Sequence, residues 1–101
     1  LEAPVKNLLA NCDALLLDGT FWSEHEMEET HSGSKSASAM GHWPVGGYEG
    51  SLVQIAALPI RQRIYVHINN TNPLLREDSP ERKAVKEAGI EVGWDGLEFT
   101  L

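Results

Sequence analysis

Four consecutive apolar residues, Ala14-Leu15-Leu16-Leu17, stop abruptly at Asp18-Gly19-Thr20. A short unbroken apolar run reads as a strand buried on both faces, as in the interior of an α/β sheet. We read this strand over Cys12 to Leu17. The polar residue and glycine that end it mark the edge where such sheets place their chemistry. A second strand reads over Ile60 to Ile68. Its β-branched and aromatic residues put Ile64, Val66 and Ile68 on one face, expected to be the core face, and Tyr65 and His67 on the other. The strand runs into Asn69-Asn70-Thr71-Asn72-Pro73, a turn cluster.

Helical pieces surround the two strands. Val5 to Ala10 reads as the end of a helix with Val5, Leu8 and Leu9 on one face. Ser23 with Glu26 has the spacing of a capping box, and Glu24, Glu26, Glu28 and Glu29 then face solvent. Ser32 to Ala39 has no period and reads as a loop. Ser51 is placed to cap a helix over Leu52 to Leu58, striped by Leu52, Ile55 and Ala56 and ended by Pro59. Asp78 or Ser79 caps a further helix with Pro80 in its first turn and Gly89 closing it. Ile90 to Trp94 and Leu97 to Leu101 read as short strands around Asp95-Gly96, a hairpin signal. The expected order is α-β-α-loop-α-β-α-ββ in a single α/β unit over residues 1–101, without internal repeats.

With 101 residues the chain could bury about 60–68% of its unfolded surface, enough for one small core. Its 42% apolar and 23% charged residues are ordinary for a globular domain. The net charge of −7 sits almost wholly in residues 1–50, which hold two lysines and eight acids. No basic stripe is present, which argues against nucleic acid as a partner. No apolar run is long enough to cross a membrane as a helix. Leu1-Glu2-Ala3-Pro4 has neither an initiator Met nor a signal peptide, and reads as a processed or truncated end. The lone Cys12 permits no disulfide within the chain and reads as a small apolar residue. These features fit a reducing, cytoplasmic setting.

Four histidines could carry chemistry. His25 and His31 lie in or beside the acidic helix and read as solvated. His67, at the end of a hydrophobic strand, is either a satisfied structural histidine or a metal ligand facing a cleft, its imidazole suiting zinc or iron. His42, in Met40-Gly41-His42-Trp43-Pro44, is either packed on Trp43 or a positioned acid or base. Asp18 needs a partner at its strand end, either the amides of residues 19–21 and a nearby hydroxyl or an imidazole whose tautomer it would fix. Asn69, Asn70, Thr71 and Asn72 could contact a ligand or simply satisfy their own turn. No HxHxDH cluster, HExxH helix, phosphate loop or GxSxG elbow occurs, so any metal would draw most ligands from elsewhere.

These residues resemble a known family. Asp18-Gly19-Thr20-Phe21-Trp22, Met40-Gly41-His42, Val66-His67-Ile68-Asn69-Asn70-Thr71-Asn72-Pro73 and Glu77-Asp78-Ser79-Pro80-Glu81-Arg82 are similar to the C-terminal third of coenzyme PQQ biosynthesis protein B. The similarity continues to Val92-Gly93-Trp94-Asp95-Gly96-Leu97-Glu98. It implies the C-terminal half of a metallo-β-lactamase-type αββα sandwich, with the N-terminal remainder of the same protein as its first partner. It implies His67 as a metal ligand and Asp18 with His42 as an acid–histidine pair that delivers a proton. Asn70, Asn72 and Trp43 are the expected substrate contacts. The implied function lies in biosynthesis of pyrroloquinoline quinone, PQQ, as an iron-dependent hydroxylation of the tyrosine ring of a Glu–Tyr-derived precursor. Zinc is the other metal to expect. A PQQ carrier or export protein and a metal-dependent hydrolase are the alternatives, and a homo-oligomer is left open.

Overall fold

The structure is a computed structural model that describes residues 2–30, 33, 35–94 and 96–98. Helix α1 spans Ala3–Ala10 and strand β1 spans Ala14–Asp18. Helix α2 is the single turn Glu26–Glu29, and α3 spans Ser51–Ala56. Strand β2 is Gln62–Val66, α4 is Pro80–Glu87 and β3 is Glu91–Val92. Short 3-10 turns occupy Ser38–Met40, within the stretch expected to be loop and just beyond it, and Pro73–Leu75.

The strands form a parallel sheet in the order β1-β2-β3. The register aligns Leu17 with Tyr65 and Tyr65 with Val92. These three residues share one face, and with Val45, Ile55, Leu74, Val85 and Ile90 they make the core. The main core cluster therefore lies on the Tyr65 face; of the face expected to be the core, Ile64 is buried outside that cluster and Ile68 packs against it. Tyr65 can be wholly buried because its hydroxyl meets Ser51 Oγ at 2.8 Å inside the core. On the opposite face Ile64 is buried, but Leu16 is 56% exposed. That face opens into a groove of about 550 Å³ lined by Leu16, Ile64, Val66, Ile68, Trp94 and Leu97. The double-sided burial expected of β1 is thus absent among the described residues.

Several local readings shift for identifiable reasons. The cap of α3 is Gly50, because Ser51 turns its hydroxyl inward to Tyr65. Within the stripe of α3 Ile55 is fully buried, whereas Ala56 faces out. In α1 Val5 and Leu8 are exposed, and of its expected apolar face only Leu9 packs on the core. Glu26 does not face solvent; it is buried, and its carboxylate accepts from Trp22 N at 2.8 Å and Thr71 Oγ1 at 2.5 Å. No capping box forms, since Ser23 Oγ reaches Glu29 instead. Helix α4 follows its sequence signals: Ser79 Oγ accepts from Arg82 N at 3.0 Å, Pro80 opens the first turn, and Gly89 closes it at φ 78°. Beyond it β3 pairs in parallel with β2. His31, Asp95 of the expected hairpin and the end of its second strand lie outside the described residues.

Candidate functional site

Both long strands deliver a polar group to the same end of the sheet. Asp18 is the last residue of β1 and aligns with Val66, the last of β2. His67 follows immediately, at φ 60°, a left-handed conformation that non-glycine residues rarely adopt. Such a backbone costs about 1–3 kcal/mol and persists only where its surroundings impose it. Here Gly19 N donates to Val66 O at 2.8 Å on one side, and Asn69 N donates to Thr20 O at 3.0 Å on the other. Glycine suits this approach at residue 19, since a Cβ there would lie 2.5 Å from Ile68 Cδ1 and 3.0 Å from Val66 O.

Asp18 accepts four hydrogen bonds. Thr20 N (3.1 Å) and Thr20 Oγ1 (2.7 Å) donate to Oδ1. His42 Nδ1 (3.0 Å) and Trp43 N (3.3 Å) donate to Oδ2. Partial burial alone would raise the pKa of this carboxyl, but the bonds from Thr20 and His42 outweigh it and hold it below the ordinary aspartate value. Asp18 is therefore ionised at neutral pH and acceptor-only, which places the bonded proton of His42 on Nδ1. The two partners anticipated for Asp18, loop amides and an imidazole, are both present. His42 also sits edge-on to Phe21, with ring centroids 5.6 Å apart at 84°.

His67 does not touch Asp18. Its Nδ1 lies 3.0 Å from Thr20 Oγ1, and its ring centroid is 6.1 Å from that of His42. Thr20 thus joins two groups that the sequence pointed to separately. The signal for it was its place two residues beyond Asp18, where an Asx-type turn brings residue i+2 back to the carboxylate.

The remaining candidates divide. Trp43 donates its indole N–H to Glu49 O at 2.9 Å and lines a cleft of about 680 Å³ with Trp22 and Tyr48. Asn70 is exposed and lines a separate cleft of about 810 Å³ beside Glu26, Thr71 and Arg76. Asn72 is buried, its amide donating to Gly19 O at 2.9 Å and its carbonyl accepting from Leu74 N at 2.9 Å. Its polar groups are thus held by the fold, partly within its own turn and partly by the loop after β1, although the residue also lines the cleft of Asn70. Cys12 is free, half-buried and on the far side of β1 in sequence from the Asp18 end.

Among the described residues no three His, Cys, Asp or Glu side chains cluster closely enough to hold a metal ion. The donor chemistry fits one ligand: His67 bonds through Nδ1, which leaves Nε2 for coordination.

A parallel α/β unit that brings an aspartate–histidine pair and a second histidine to one end of its sheet places them where α/β proteins carry their chemistry. No protein-family model matches the chain. Curated relatives identify it more closely. The chain is 46% identical over its whole length to coenzyme PQQ synthesis protein B of Methylococcus capsulatus, and 44% identical over 93 residues to that of Klebsiella pneumoniae subsp. pneumoniae. It spans 33% and 30% of those two proteins, about a third of their length. It also matches a crystal structure of zinc-bound PqqB from Methylobacterium extorquens, with a TM-score of 0.93 and 42% identity, covering all of this chain and 36% of that one. The family resemblance read from the sequence, to coenzyme PQQ synthesis protein B, is borne out over the whole chain.

Proposed function

We propose that this chain is the C-terminal part of a metallo-β-lactamase-type domain that acts in PQQ biosynthesis through a metal-dependent active site. Its role is in PQQ biosynthesis, as the names of its relatives indicate. The observation that carries the proposal is the convergence at one sheet end of Asp18, holding His42 through Nδ1, and His67, held through Thr20. Both imidazoles are oriented by their Nδ1 bonds, so each keeps Nε2 for work outside the fold. In this reading His67 is one metal ligand, and the other ligands come from the part of its relatives that this sequence does not span. That part also covers the Leu16–Ile64–Val66 groove as the second layer of the sandwich. No helix among the described residues is long and apolar enough to cross a membrane.

The reaction we favour is hydroxylation of the tyrosine ring of a small Glu–Tyr-derived precursor. Iron in the site would supply redox chemistry and open positions for O₂. His42 then takes or gives a proton at Nε2 while Asp18 stabilises the charged ring. Trp43 and Asn70, each lining its own cleft, are the side chains we assign to contact with the precursor. The related structure contains zinc, which has no redox chemistry, and this observation favours a second reading, a hydrolase in which the metal acts only as a Lewis acid. A PQQ carrier is the non-enzymatic alternative.

A mutant cycle in the full-length protein tests the enzymatic reading. Asp18→Asn and His42→Ala should each remove most turnover of the precursor supplied with ferrous iron and O₂. The double change should cost little more than either, because the two side chains act as a unit. Additive losses would show that they act separately. Tight PQQ binding without turnover would favour the carrier.

A further inference from the structure

We propose that Thr20 is a positioning residue that fixes His67 in the Nδ1-protonated tautomer, so that Asp18 governs both histidines at once. The argument counts protons. An ionised carboxylate cannot donate, so the 2.7 Å contact between Thr20 Oγ1 and Asp18 Oδ1 uses the hydroxyl proton of Thr20. A hydroxyl has only one proton. At 3.0 Å from His67 Nδ1, Thr20 Oγ1 therefore has only a lone pair to offer, and Nδ1 must carry the hydrogen. The lone pair of a neutral His67 is left on Nε2. Free imidazole side chains have no such constraint, and the His67 residue is exposed.

The surroundings make this bond reproducible. Thr20 is 5% exposed, which keeps water from competing for its hydroxyl. Its backbone N–H is bound to Asp18 Oδ1, which turns the loop after β1 back on the strand end, and its carbonyl accepts from Asn69 N, which ties that loop to the loop after β2. Asn72 Nδ2, bonded to Gly19 O, adds a second tie. The left-handed backbone of His67 points its ring at this hydroxyl instead of continuing the alternation of β2. The carboxylate thus acts on His42 directly and on His67 through one hydroxyl. A metal-binding histidine whose far nitrogen is oriented in this way binds more tightly.

The metal half of this inference rests on the proposed function, whereas the tautomer rests on geometry alone. The test therefore reads them separately. In metal-free full-length protein labelled with ¹⁵N-histidine, long-range ¹H–¹⁵N correlation above the imidazole titration range should show His67 protonated at Nδ1. Thr20→Val, close in shape but without the hydroxyl, should release the ring towards Nε2–H, and Thr20→Ser should restore Nδ1–H. Zinc affinity of the same proteins should fall about 10–100-fold in Thr20→Val and recover in Thr20→Ser. An Nε2–H His67 in the wild-type protein, or an unchanged tautomer in Thr20→Val, would overturn the inference. If Thr20→Val does not fold, the wild-type spectrum and Thr20→Ser still decide it. A tautomer that switches as expected while zinc affinity stays constant would uphold the positioning role and overturn His67 as a ligand.

Discussion

Asp18→Asn should destabilise the protein as well as disable it, and the four bonds to the carboxylate set the size of the effect. An amide can accept at only one of its two ends. Whichever way it turns, its NH₂ meets two groups that donate in the wild-type protein: Thr20 N and Oγ1, or His42 Nδ1 and Trp43 N. The second orientation is the easier one, because His42 can switch its proton to Nε2 and accept from the amide, whereas Thr20 N cannot. Each hydrogen bond to a charged group contributes about 1.5–3 kcal/mol. With 34% of the Asp18 side chain exposed, the lower end applies; the Trp43 bond is lost and the bonds of His42 and Thr20 lose their charged partner, which together give about 3 kcal/mol. The loss should depend on pH. The folded pKa of Asp18 lies below its ordinary 3.8, so its stabilisation is complete above that pH and is lost as pH falls through the folded value. Urea unfolding of wild-type and Asp18→Asn protein should give a gap of about 3 kcal/mol at neutral pH that narrows in acid. A gap near zero at neutral pH, or one that does not change with acid, would refute the reasoning. Turnover of the variant should be compared under conditions where both proteins are folded.

Two further perturbations test the frame that carries the site. Arg63 donates from Nη1 to the carbonyls of Ile55 and Ala56 and from Nη2 to Ala88 O, joining the ends of α3 and α4; Arg63→Met should lower the free energy of urea unfolding by about 2–3 kcal/mol, and an unchanged value would contradict this. Tyr65→Phe strands the buried Ser51 hydroxyl and should cost about 1–3 kcal/mol, most of it recovered by adding Ser51→Ala. Burial pushes the Tyr65 hydroxyl up to about 12, so wild-type stability should fall as pH rises from 10 towards 12, and the Phe variant should lose that slope.

Much of the site could be read from sequence because its signals are local. The apolar run ending at Asp18-Gly19 placed β1 within two residues of its observed bounds, although Asp18 itself closes the strand instead of following it. Ser79, Pro80 and Gly89 marked α4 because a cap, a first-turn proline and a left-handed glycine each act within a few residues. The errors come from long-range partners. Alternation in β2 separates Ile64 from Tyr65 but cannot say which face the helices cover; that depended on Ser51 meeting the phenol across the core. Helical periodicity turned Glu26 outward because Thr71, its partner, is 45 residues away. Strand propensity ran on through His67, where the bond from Gly19 N to Val66 O ends the ladder and the backbone turns left-handed. Asn72 was legible as a polar turn residue, yet only the approach of the loop after β1 shows what its amide holds.

The central claim, that His67 presents Nε2 to a metal, is tested most directly by the metal content of His67→Ala in the full-length protein. The account predicts that metal affinity falls by more than the roughly 10–100-fold typical of groups behind the ligands. It also predicts that thermal melting changes little, because the ring is exposed and lies beyond the core face of β2. A variant that keeps its full complement of metal, or one that loses about 1–3 kcal/mol of stability with metal content unchanged, would contradict it and make His67 a structural histidine.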